Sequence, residues 1–97
     1  MRFADLTVIE GVGSGQEHIV QRKLTSIGCG AHDDLRLVGQ GVREQHLLVD
    51  FVSAVPQILP MFPIHINGVE VIEACLIESG SILRVGDNYI RINIRSN

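Results

Sequence analysis

Three groups of residues in this 97-residue chain have the types and spacing that chemistry uses. The densest contains Cys29, His32, Asp33 and Asp34, with Arg43, Glu44 and His46 a few positions on. Thiol, imidazole and carboxylate groups ligate metals and move protons. Structural zinc, however, takes four Cys or His ligands at paired spacings. The chain has no C-x-x-C and no H-x-x-x-H, so no metal is expected, and the acidic pair reads as a polar loop with an Asx-type turn. Cys29 and His46 are a conceivable nucleophile and base. An activated thiol needs an electropositive setting, and only Arg43 stands out locally, so no catalytic residue and no enzyme is expected. The second group, Gly11-x-Gly13-x-Gly15, could cradle a phosphate. Nucleotide loops of that kind lead into a helix, whereas a strand pattern follows here, so a hairpin turn is expected and no cofactor. The third, Met61-Phe62-Pro63, is an apolar cluster in a loop: either an exposed contact or a cover on one end of the core.

Composition narrows the partners. The formal charge is −3 with only eight Lys and Arg, and aromatic residues make up 4% of the chain. Nucleic acids are bound through clustered cations and aromatic platforms, so neither DNA nor RNA is expected. No apolar run reaches the roughly 18–20 residues of a membrane span, so no direct membrane insertion is expected. The start lacks the apolar stretch of a signal peptide, which implies the cytoplasm and two free thiols, Cys29 and Cys75. Cys75 reads as a small core residue, and His18 and His65 read as solvent-facing.

The elements that must position these groups are strands. Leu6 and Val8 alternate with polar neighbours, as do Ile90, Ile92 and Ile94. The run 47–52 is apolar on both faces for most of its length and reads as a central strand. Further short strands fit 18–22, 24–27, 34–37, 57–59, 64–66, 69–72 and 82–85. Glycine-rich turns separate them, and Asn67-Gly68 between two apolar runs is the strongest hairpin signal. No window has a helical face. The expectation is an all-β sandwich of about ten or eleven short, mostly antiparallel strands, forming one domain over 1–97 that could be one part of a longer protein.

The order of motifs resembles the forkhead-associated (FHA) domain family, of the SMAD/FHA sandwich type. Ser26-Ile27-Gly28 matches its "IG" turn, and Asp33 to Leu37 its "nDi.l" strand. Val42-Arg43-Glu44-Gln45-His46 stands where the family has V-S-R-x-H. Ile66-Asn67-Gly68-Val69 matches "vNG", and Ile77 to Gly86 matches "L..GD.I..G". The resemblance implies structural roles for Gly28, His46, Asn67 and Gly68.

It also implies a missing function. Such domains grip phosphothreonine with an Arg after the "IG" glycine, a Ser in the V-S-R-x-H segment and an Asn in a later loop. Here those positions hold Cys29, Arg43 and Phe62; Glu44 replaces a further Arg, and Ser81 replaces the Asp of "GD". The expected function is a phosphate-independent protein-interaction module of a signalling or regulatory protein. Cys29, His32, Arg43, Glu44 and Phe62 are its candidate contact residues, and self-association is possible. A second expectation is a structural cytoplasmic FHA-like domain of a type III secretion inner-membrane ring protein, a group that similarly lacks phosphate-binding residues. A third is a phosphothreonine reader that uses Arg43 as a displaced ligand.

Overall fold

Hydrophobic alternation with a period of two yields two facing sheets. The computed structural model describes residues 2–53 and 55–95. Among them are eleven strands and no helix: β1 Ala4–Glu10, β2 Glu17–Val20, β3 Leu24–Gly28, β4 Leu35–Arg36, β5 Leu47–Asp50, β6 Gln57–Pro60, β7 Ile64–Ile66, β8 Val69–Val71, β9 Cys75–Leu76, β10 Ile82–Val85 and β11 Asn88–Ile94. One sheet runs β2-β1-β11-β10-β7-β8, the other β4-β3-β5-β6-β9. All pairings are antiparallel except β3 with β4. Accordingly no helix here is long and apolar enough to cross a membrane.

The inward side chains form one core. Leu6, Val8, Ile90 and Ile92 from the first sheet and Ile27, Leu47, Val49 and Ile58 from the second are fully buried. Each such side chain contributes roughly 1.5–3 kcal/mol of transfer free energy, so this seam is the main stabilising term.

The run 47–52 is a central strand, as expected, but it stops at Asp50. That carboxylate, only 6% exposed, accepts hydrogen bonds from the Gln57 amide (2.8 Å), the Val52 N–H (2.7 Å) and the Ser53 hydroxyl (3.3 Å). The turn they form leaves Val52 exposed. The same bonds, that from Gln57 foremost, hold the Asp50 carboxyl below the usual carboxylate range. Its contribution to stability is therefore present above the pKa of an unfolded Asp and lost as pH falls through the lowered value.

Three sequence expectations change. Cys75 is half-buried on the edge strand β9. It lies outside the core because that two-residue strand pairs only with β6. His18 and His65 are half-buried rather than open to solvent. Strand β9 itself was not anticipated, because two residues are too few to show a period.

Asn67 and Gly68 form the β7–β8 turn with φ of 50° and 85°. Both are left-handed, as a type I′ hairpin requires. Asn67 does more than turn the chain: its side-chain oxygen accepts the Ile82 N–H at 2.9 Å, and its own N–H donates to the Ile82 carbonyl at 2.8 Å. The hairpin is thereby tied to β10.

No atom lies within 4 Å of where a Gly68 Cβ would sit, so a substitution there meets backbone strain alone. Gly68→Val is expected to destabilise the domain by about 1–3 kcal/mol. Chemical denaturation checks this; an unchanged midpoint would contradict the left-handed turn.

Candidate functional site

The end of β3, the start of β5 and the end of β6 lie side by side, since Ile27 pairs with Leu47 and Leu47 with Pro60. The loops leaving these strands, 29–34, 37–46 and 61–63, therefore share one end of the sandwich. Every candidate contact residue named from the sequence lies on them.

His46 joins two of these loops. It is 2% exposed. Its Nδ1 accepts the Arg43 N–H at 3.1 Å, and its Nε2 lies 3.0 Å from the Pro63 carbonyl. A backbone N–H only donates and a carbonyl only accepts, so the proton sits on Nε2 and both ring nitrogens are satisfied. The His46 carbonyl in turn accepts the N–H groups of Met61 (2.9 Å) and Phe62 (3.3 Å). The expected structural role of His46 thus has a definite content: it holds 43–46 against 61–63.

Asp33 joins the other pair. One carboxylate oxygen, Oδ2, accepts the N–H of Gly30 at 2.8 Å and of Gln45 at 3.0 Å. Cys29 adds a backbone bond from its N–H to the Arg43 carbonyl, 3.0 Å. Gly28 is buried where these segments touch: a Cβ there would lie 2.5 Å from the Arg43 carbonyl oxygen and 2.6 Å from the Gln45 nitrogen. Only glycine permits that approach. Gln45 is held with φ of 45°, a left-handed value uncommon outside glycine, between the Asp33 and His46 anchors. Asp34, the other acid of the pair, binds the Ser26 N–H at 2.9 Å and anchors the loop to β3.

The candidate contact residues divide into two clusters. Arg43 lies over the Phe62 ring, 5.2 Å from its centroid, and Phe62 meets the His46 ring edge-on at 5.6 Å. Phe62 is 38% exposed, so it both covers His46 and presents an apolar surface. His32 and Glu44 are instead grouped around Asp33, beside a cavity. Cys29 is half-buried. The sequence reading found Arg43 as the only cation near Cys29. The structure adds Arg36, which pairs with Gly28 across β3–β4 and donates from Nε to the Cys29 carbonyl at 3.2 Å. The parallel pairing of β3 with β4 brings it there, and no motif in the sequence signals that pairing. Asp33 was missed as an organiser for the same reason: its partner Gln45 is twelve residues away.

The sequence matches no family model and no curated protein. Solved structures do match. The FHA domain of an Arabidopsis thaliana hypothetical protein superposes with a TM-score of 0.87 at 14% identity, covering 100% of this chain and 89% of that one. The FhaA FHA domain, solved in complex with the intracellular domain of Rv3910, gives 0.80 at 22% identity over 93% of this chain and 99% of that one. The cytoplasmic domain of the type III secretion sorting-platform protein PscD from P. aeruginosa gives 0.80 at 13% identity over 98% and 82%. This chain has the FHA β-sandwich fold. At these identities the likeness concerns architecture, and function must be argued from the site.

Removing the His46 ring leaves the Arg43 N–H and the Pro63 carbonyl without partners and opens a gap under Phe62. His46→Ala is expected to cost about 2–4 kcal/mol. A melting curve unchanged from wild type would remove the role assigned to this residue.

Proposed function

We propose that this domain is a non-enzymatic protein-interaction module that recognises its partner without phosphate. The contact surface is the loop end, with Cys29, His32, Arg43, Glu44 and Phe62 as contact residues. One observation carries the reading: the Asp33 carboxylate accepts the Gly30 and Gln45 N–H groups, where the β3–β4 and β4–β5 loops meet. Free backbone amides in such a cleft are natural anion ligands. Here they are spent on an internal anion.

Magnitudes favour this reading over phosphate binding. A phosphothreonine carries about −1.5 to −2 charges at neutral pH. Two unit charges ~4 Å apart repel by about 1 kcal/mol in water and about 4 at a partly screened protein surface. Asp33 and the exposed Glu44 would both oppose the phosphate. Arg43 could return one charge-assisted bond of about 1.5–3 kcal/mol. To do so it must leave the Phe62 ring, losing about 0.5–1 kcal/mol. One arginine does not offset two carboxylates. The remaining surface, an Arg–Phe stack with Met61 53% exposed beside it, has the composition of protein interfaces, which are enriched in aromatic residues, Met and Arg.

The likeness to the PscD cytoplasmic domain supports a second reading, a structural unit of a secretion assembly. There the same loops, or a sheet face, would contact neighbouring subunits. Both readings make the partner a protein and leave phosphate out.

Titrating isotope-labelled domain with a degenerate phosphothreonine peptide library and its unphosphorylated counterpart tests the shared claim by NMR. The expected result is no preference for the phosphorylated set. Saturable shifts at Arg43 and its neighbours at micromolar concentration, seen only with phosphopeptide, would make Arg43 a phosphate ligand and overturn the reading.

A further inference from the structure

Both sheets end on the same side of the sandwich. Strand β8 is the last of the six-stranded sheet and β9 the last of the five-stranded one, and only residues 72–74 join them. The Asn67-Gly68 hairpin fixes which backbone groups β8 leaves open. In a two-residue hairpin the residues flanking the turn, here Ile66 and Val69, exchange hydrogen bonds, and bonded pairs alternate with non-bonded ones. Ile64 and Val71 are therefore bonded, while the N–H and C=O of Glu70, opposite His65, point away from β7 into the open edge. Arg84 pairs with His65 and is exposed, so the row Arg84, His65, Glu70 lies on the outer face of the sheet, and Val69 and Val71 lie on the other. Val71 packs against the core, but Val69 is 66% exposed, and Ile72 and Leu76 along the same side are 63% and 64% exposed. Natural edge strands are commonly blunted with Lys, Pro or a bulge. This side instead carries Glu70, Glu73 and, after β9, Glu78, and none of the three is in an ion pair among the described residues. The whole stretch 44–83 has no Lys or Arg.

We propose that the β8 edge is a docking site for an extended, basic segment of a protein partner, which adds as a further antiparallel strand and pairs with the N–H and C=O of Glu70. Strand addition takes its affinity from backbone bonds and its specificity from the side chains that alternate along the added strand. The register sets that specificity. The partner residue opposite Glu70 lies on the outer face beside the Glu70 carboxylate, where a positive charge is favourable. The residues on either side of it lie on the face of Val69 and Val71, where apolar side chains cover the exposed Val69. The motif that fits is apolar, Lys or Arg, apolar. Glu73 and Glu78 extend the negative field along this side and draw a basic partner towards it. A second copy of the domain fits badly. With one open residue in β8, two copies would set Glu70 against Glu70, and like charges directly opposite are destabilising. The surface is a lateral edge rather than the loop end, so its occupation does not depend on what binds there.

The test is selection of random linear peptides displayed on phage against the immobilised domain, followed by NMR titration of the labelled domain with the enriched peptides. The expected result is enrichment of the apolar, Lys or Arg, apolar motif, shifts centred on the Glu70 amide with slower exchange of that amide, and affinity that falls as salt rises. Glu70→Arg is expected to weaken these peptides at least about tenfold, as reversal of a contacting charge does. The isosteric Glu70→Gln should weaken them several-fold and covers the case in which Glu70→Arg fails to fold. Glu70→Pro removes the open N–H without taking a bond from β7, a position where edge strands accept proline, and should abolish binding. Glu17→Arg, an equal charge change on exposed β2 at the opposite edge of the same sheet, should leave affinity unchanged. Peptides without the basic residue, peptides that bind the Glu70 variants as well as wild type, or shifts confined to loops 29–34, 37–46 and 61–63 overturn this inference and leave the loop-end reading standing. A dimer in sedimentation that Glu70→Pro dissociates gives the edge to a second copy and also overturns it. Failure to enrich any peptide does the same, while the phosphopeptide titration tests the loop end separately.

Discussion

Two buried polar side chains set the geometry of the loop end. Taking an imidazole or a carboxylate out of water is tolerable only where hydrogen bonds replace the lost hydration. His46 and Asp33 meet that demand with backbone groups from separate loops. Each bond is modest, about 0.5–1.5 kcal/mol net and more to a charged group, but a broken one leaves a buried orphan. The loops between the β3, β5 and β6 strand ends therefore have little freedom to move independently. Gly28, which lets the chains touch, and Gln45, kept left-handed between the anchors, are consequences of the same clasp.

The clasp also decides the electrostatics of the surface. Its carboxylate lies at the meeting point of the β3–β4 and β4–β5 loops and takes two amides there. Around it the exposed residues separate by charge: Glu44 with His32 on one side, Arg43 over Phe62 on the other. An FHA sandwich built in this way keeps the rigid, loop-bearing end of its fold while presenting an acidic cavity beside a cationic, aromatic patch. Affinity at protein interfaces comes from a few anchors, and under the proposed reading the Arg43–Phe62 stack supplies them.

Much of this was legible in the sequence. Alternation of Ile90, Ile92 and Ile94 with polar residues gives β11, and Asn67-Gly68 gives a type I′ hairpin, because both signals are local. The loop site was legible through motif order, which put Cys29, Arg43, His46 and Phe62 at one end. Partners distant in the chain were not. The tie of Asn67 to Ile82, the bond from Gln45 to Asp33 and the position of Arg36 beside Cys29 all depend on strand pairing. Cys75 was misplaced because an apolar neighbourhood does not distinguish a core strand from a two-residue edge. The strand at Leu47 ended early because Asp50 captures the following turn through its side chain, which hydrophobicity does not register.

Amide hydrogen exchange of the free domain tests the clasp most directly. The Arg43 N–H is bound to His46, and those of Gly30 and Gln45 to Asp33. In a loop without such bonds these amides would exchange at nearly the rate of an unstructured peptide, because local opening there costs almost nothing. The account predicts that all three exchange as slowly as amides in β3 and β5, and that Asp33→Ala releases Gly30 and Gln45 together. Fast exchange of these amides in the wild-type domain would contradict it.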